Sequence, residues 1–219
     1  MKIKSWLRKI SAIAFSLILS LTMFACFALP VGAYSQDDLD YLLKTNKCNY
    51  CDLSAADLSK ANLYGSSLIG ANLAGADLSN ALLNDAELKQ ANLKGANLTD
   101  AILMGVTLSQ AELADANLTD ATLYNATMSD ANMLGANLTK ADLTSAILLN
   151  TNLANVPASE AKLIKAILSH ADLSGANLSK ADIRNANLKD ANLEQTNLTD
   201  ADLDGATMPD GTIYHDDIF

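Results

Sequence analysis

From Leu53 to Ile218 every fifth residue is apolar. Of these 34 positions 27 are leucine; the others are Met128, Met133, Met208, Ile183, Ile213, Ile218 and one small residue, Ala158. Two residues before each of them a second pattern runs, with alanine in 26 of the 34 slots and Cys51, Ser66, Val106, Thr151, Val156, Thr196, Gly211 and Asp216 in the rest. Ala91-Asn92-Leu93-Lys94-Gly95 shows the unit, and its register runs without an insertion from residue 51 to 219. A period of five matches neither the roughly 3.6 residues of a helical turn nor the alternation by two of a long strand. It matches a short strand followed by a corner. Residues two apart on an extended chain share a face, so alanine and leucine point inward and the residue between them meets water. Eight of the ten glycines stand two residues after the central one, Gly95 and Gly105 among them. That is the corner position expected to need positive φ.

If four such sides close one coil, each leucine stacks on the leucine twenty residues earlier. Alanine near the corners keeps converging sides from colliding, and leucine fills the axis without voids. Coils spaced as strands are, about 4.8 Å apart, make a rod of about eight coils and roughly 40 Å. Each buried leucine stabilises it by roughly 2 kcal/mol, and coil-on-coil contacts sum along a single solenoid domain.

The Ala-Asp/Asn-Leu-x-x array over residues 51–219 resembles the pentapeptide-repeat proteins. The resemblance implies an all-β fold, a right-handed quadrilateral β-helix. The segments Leu42 to Leu53 and Met208-Pro209-Asp210-Gly211-Thr212-Ile213 look like the lead-in and exit of cyanobacterial members exported to the periplasm or thylakoid lumen. Most of that group have no assigned activity. Other members protect DNA gyrase as acidic, DNA-like rods.

Residues 1–33 read as a signal peptide. Lys2, Lys4, Arg8 and Lys9 precede an apolar run from Ile10 to Leu29, and Val31-Gly32-Ala33 suits cleavage before Tyr34. A retained membrane anchor over residues 10–29 and a lipid on Cys26 are the alternatives. Residues 34–50 predict a short capping α-helix and linker. Ser35 is its cap, Asp37 and Asp38 suit its first turn, and Leu39, Leu42 and Leu43 share one face. Laid over the first coil, it covers leucines and strand edges that a solenoid end exposes. At the other end Ile213, Ile218 and Phe219 are expected to close the rod only in part, which leaves room for a homodimer through the C-terminal end.

Cys48 and Cys51 are the cysteines that remain after cleavage, and in an oxidising compartment they predict a disulfide bracket between helix and coil. Unpaired thiols and redox or metal chemistry are the other readings. Zinc prefers four ligands and no second cluster exists, and a reactive cysteine favours a helix N-terminus, whereas this pair follows a helix. No metal and no cofactor are expected.

Signal removal takes away four basic residues and no acidic one, so 15 − 4 = 11 basic residues face 25 acidic ones, a net charge of −14. Such acidity opposes nucleic acid as a partner. A DNA mimic of about 40 Å needs roughly 24 charges at one per 1.7 Å, so action on gyrase is the alternative reading and not the first. His170 and His215 occupy different sides, about two coils apart by the estimate of one coil per twenty residues, so acid, base and nucleophile do not converge and no catalytic residue is assigned.

Sorting outward residues by twenty separates the sides. One carries Asn97, Asn117, Asn137, Asn177 and Asn197 beside Thr99, Thr119, Thr139 and Thr199. This is a polar ladder that binds its own backbone and water, with an ice-binding surface as the remote alternative. The next side carries Tyr64, Leu82, Ile102, Met104 and Tyr124 outward on consecutive coils. A contiguous apolar patch on a polar rod suggests a protein-docking surface. Pro157 and Ala158 predict one flawed coil, short of a ladder hydrogen bond and of a leucine.

Overall fold

A computed structural model describes residues 34–215. The expected signal segment, Cys26, Ile218 and Phe219 lie outside the described residues, and among those described no helix is long and apolar enough to cross a membrane.

Each side of each coil pairs in parallel with the residue twenty positions on: Asp52 with Asn72, Asp57 with Asp77, Asn62 with Leu82, Ser67 with Glu87, continuing to Asn187 with Thr207. We number the sides one to four by the central residues Leu53, Leu58, Leu63 and Leu68 and their successors. Three backbone bonds tie a side to its neighbours. Leu73 N–H donates to Asn92 O (2.7 Å), Gly75 N–H to Lys94 O (2.9 Å), and Asn72 N–H to Cys51 O (2.9 Å). A fourth, Ala76 N–H to Leu73 O at 3.0 Å, closes the corner. Positive φ falls on the second turn residue alone, at Gly75 (66°) as at Asn80 (58°) and Asp85 (55°), which is a type II turn.

These four bonds leave one N–H per repeat, that of the residue after the leucine. The residue before the leucine satisfies it. Ser79 N–H donates to Asp77 Oδ1 (3.0 Å), Thr119 N–H to Asn117 Oδ1 (3.2 Å), and Glu194 N–H to Asn192 Oδ1 (3.0 Å). Aspartate or asparagine between alanine and leucine is therefore the acceptor that the corner requires, beyond being polar. The same side chains also join coils, as where Asn92 Nδ2 donates to Asn72 Oδ1 at 3.1 Å.

The interior is the expected leucine column walled by alanine, buried from Leu53 to Leu188. Among the described residues, three polar ones, Ser66, Thr151 and Thr196, stand in alanine slots with different outcomes. Thr151 Oγ1 donates to Met128 O (2.9 Å) and Thr196 Oγ1 to Leu173 O (2.8 Å), each 23 residues back. The corresponding residue for Ser66 is Leu43, which belongs to the terminal helix, and Ser66 Oγ is buried without a partner.

That helix, α1, spans Gln36–Thr45. Ser35 accepts from Asp38 N–H at 3.2 Å, and Asp37 and Asp38 occupy the first turn, as expected. Leu39 and Leu42 bury against the first coil, but Leu43 is 62% exposed. One residue beyond Leu42 lies about 100° further round the helix, and the narrow end of the rod accepts only the Leu39–Leu42 stripe. Asp38 Oδ2 also accepts from Asp52 N–H (2.9 Å), an edge donor of the first coil, and Ser35 N–H donates to Asp52 O (2.9 Å). The ladder itself starts inside the expected linker, where Lys47 pairs with Ser67.

The C-terminal end departs from the expected register. Ile213 does not face inward. It pairs antiparallel with Thr207 and is 50% exposed. Met208 N–H donates to Thr212 O (2.7 Å), and Tyr214 N–H donates to Ala206 O (2.8 Å), so the chain turns back at Pro209-Asp210-Gly211. Gly211 fills an alanine slot without a methyl to pack, and the bonds within the reversal replace those of another coil.

Pro157 and Ala158 form the expected flaw. The bridge between positions 137 and 157 is missing from its column, because proline brings no N–H to Ala136 O, while Pro157 O still accepts from Leu138 N–H at 2.7 Å. A small apolar void borders Ala158 between Leu138 and Leu178.

Candidate functional site

Sides three and four are where the exterior leaves the repeat's own rule. Leu82 and Ile102 stand at the position that elsewhere supplies the corner acceptor, and they pair directly on adjacent coils. Neither offers an oxygen to the N–H two residues on. Met104 N–H turns instead to Asn84 Oδ1 of the coil below (3.1 Å). Beside this column, Asn84, Met104 and Tyr124 stack, with Gly105 N–H bonded to Tyr124 O at 2.9 Å. Tyr64 (58%), Leu82 (38%), Met104 (42%) and Tyr124 (42%) are exposed, and Ile102 is half-buried between them. The five residues expected as a patch therefore occupy one side of successive coils.

Periodicity did not reveal the residue at the edge of this patch. Asp85, at the corner between sides three and four, accepts a hydrogen bond from the Tyr64 hydroxyl, and its charge holds that phenol above its ordinary pKa. Its Oδ1 lies 2.6 Å from where a Cβ on Gly105 would stand. Glycine twenty residues later thus leaves room for the carboxylate. The spacing of 85 and 105 carries the signal; it repeats at Asn155 with Gly175 and at Asn185 with Gly205, where the Oδ1 distances are 2.5 and 2.6 Å.

Side four repeats the stacked apolar pair further along the rod, at Ile147 and Ile167, and sides one and two do not. Side two is polar except at Pro157, and Thr99 and Thr119 donate to Asn97 and Asn117 Oδ1 at 2.7 and 2.6 Å. Side four replaces aspartate and asparagine with Ser67, Glu87, Thr107 and Thr127, then with Ile147 and Ile167. Exposed Leu134 lies on side one, and exposed Leu149 and Ile167 lie on side four.

Cys48 and Cys51 form a disulfide, S–S 2.02 Å. Cys48 is buried in the central slot one repeat before Leu53, with Sγ 3.2 Å from Asp38 O, so the bond joins the first coil's interior where it meets α1. Asp38 and the two cysteines form a compact group, but both sulfurs are committed to each other. His170 Nε2 lies 3.8 Å from Asp190 Oδ2, and His215 Nδ1 lies 3.7 Å from Asp204 Oδ1; each is a solvated surface contact.

The pentapeptide repeat region family model matches residues 43–118, and the model for eight-copy pentapeptide repeats matches overlapping stretches from 101–139 to 176–210. No curated protein sequence matches the chain. Among solved structures, trypsin-treated QnrB1, a plasmid-mediated fluoroquinolone resistance protein, is 21% identical, with 67% of this chain and 76% of that one covered and a TM-score of 0.58. HetL, a pentapeptide repeat protein involved in heterocyst differentiation regulation in the cyanobacterium Nostoc, is 28% identical over 77% of this chain and 91% of its own, TM-score 0.27. A pentapeptide repeat protein of the Arabidopsis thaliana thylakoid lumen is 25% identical over 51% of this chain and 70% of its own, TM-score 0.25. The coil geometry and the family matches agree: this chain belongs to the pentapeptide-repeat family, and its rod is a right-handed quadrilateral β-helix.

Proposed function

We propose that the chain is an exported, non-enzymatic scaffold of the thylakoid lumen or periplasm that docks a protein partner on side three. The observation that carries this reading is the stacked Leu82–Ile102 pair. Both residues sit where aspartate or asparagine would supply the corner acceptor, so Met104 N–H relies on Asn84 of the neighbouring coil and hydrocarbon is left in water. Folding gains nothing from that exchange, whereas a contact surface does. Export follows from the basic start, the apolar run and the small residues before Tyr34, and the disulfide suits an oxidising compartment. Half-buried Leu193 and Leu198 in the last coil support association of two copies through the C-terminal end as a further contact.

The test replaces Leu82, Ile102, Met104 and Tyr124 with serine and follows the association state in a native extract of the compartment. Loss of a high-mass species with an unchanged unfolding midpoint is expected. An unchanged profile rejects side three as the docking surface.

A further inference from the structure

The surroundings of the patch define the partner's chemistry. Resting on the docking reading above, we propose that side three, from the coil of Leu82 to that of Tyr124, receives an amphipathic helix whose apolar face is bordered by lysine or arginine. Asp85 is the fixed anion that meets one of those cations.

Charge gives the first argument. Over these three coils the corners that border side three hold Asn80, Asp100 and Asp120 on one rim and Asp85, Gly105 and Asn125 on the other, so three of six are acidic and none is basic, and Lys60 and Lys140 stand one coil beyond each end of the first rim. Asp100 and Asp120 occupy successive coils, where their N–H groups donate to Thr119 O and Thr139 O, both at 3.1 Å. Asp85 stands beside the Tyr64 hydroxyl, in the space that Gly105 leaves open. A second copy brought face to face would set these carboxylates against their equals, so self-association on this face is opposed and a basic border is matched.

Spacing gives the second. Coils rise by about 4.8 Å and helical turns by about 5.4 Å, so a helix laid along the rod drifts by only about 1.2 Å across the three coils. Same-face residues of an extended strand repeat at about 6.8 Å and drift by about 2 Å at each coil. Leu82 and Ile102 form one apolar column and Met104 and Tyr124 the other, and the i, i+3, i+4, i+7 face of such a helix would cover both.

The probes are two synthetic helical peptides with the same leucine face, one bordered by lysine and one by glutamate, titrated against the full chain by fluorescence anisotropy. The lysine peptide is expected to bind and the glutamate peptide not to. Replacing Asp85, Asp100 and Asp120 together with asparagine should weaken binding by about tenfold, in line with a few-fold for each exposed charge. The same replacement at Asp130, Asp172 and Asp190, which lie off side three, should leave it within about twofold, since exposed charges further apart than a Debye length are largely screened. Equal binding of both peptides, lost on serine substitution of the four apolar residues, overturns the basic partner and keeps the docking surface. If neither peptide binds while native association still depends on those residues, the helical occupant is overturned. Binding that survives the serine substitutions overturns the surface itself.

Discussion

Sides two and three share an interior and differ outside. Behind both, leucine stacks on leucine between alanines, with Leu98 and Leu103 equally buried. On side two, Asn97 and Asn117 each accept from the backbone and the hydroxyl of the threonine two residues on, so the outer face completes the corner. On side three, Leu82 and Ile102 leave that bond unmade and Met104 N–H borrows an acceptor from Asn84. The contrast shows that the outward asparagine is part of the fold's own bonding.

The largest effect should be common to both sides. Leu98→Ala and Leu103→Ala are expected to destabilise by a similar amount, about 3 kcal/mol each by the cost of core cavities. A difference of more than about 2 kcal/mol, the spread seen for one substitution type across different core sites, would show that the interiors are not equivalent. Next is the flaw on side two. Ala158→Leu fills the void beside Leu138 and Leu178 and should raise stability by about 1–2 kcal/mol, as cavity filling commonly does. A fall in the melting temperature would mean that Val156 and its neighbours have already collapsed around alanine.

The sharpest contrast is an exchange of rules between the sides. Asn117→Leu should cost about 1 kcal/mol, the net value of a hydrogen bond, whereas Ile102→Asn should change stability by less than about half of that, because Met104 N–H already has Asn84 Oδ1 as its acceptor. If both substitutions destabilise equally, Ile102 serves folding after all. The smallest effect is on pH dependence. Hydrogen bonds from the Ser59 hydroxyl and N–H hold Asp57 on side two below the usual carboxylate pKa, and the Arg184 side chain does the same for Asp182 on side three. A lowered folded pKa means stability that is complete above the unfolded value of about 3.9 and is lost as pH falls through the folded value. Asp57→Asn keeps the acceptor but does not titrate, so its melting temperature should fall less below about pH 4 than that of the parent chain; an identical fall would remove this account of the corner carboxylates.

Inside and outside were legible in the chain because burial follows the five-residue period, and so was the terminal helix, whose cap and acidic first turn are local signals. The role of the outward aspartate and asparagine was not. Periodicity reports which way a side chain points, whereas its hydrogen bond depends on a turn type that places one spare N–H beside it. Ile213 misled for a related reason. It keeps the spacing by letter, but Pro209 and Gly211 remove the packing that would make the spacing hold. Of the candidate site, Leu82, Ile102 and Met104 could be assigned to one side from the twenty-residue coil. Asp85 needed the structure, since its position depends on the glycine above it and the tyrosine beside it.

The central claim is that side three makes contact and side two does not. Site-specific photocrosslinking in the native compartment tests it directly, with the probe at position 104 in one protein and at position 119 in the other. A discrete adduct from 104 and none from 119 is the predicted result. No adduct from 104, or the same adducts from both, would contradict it.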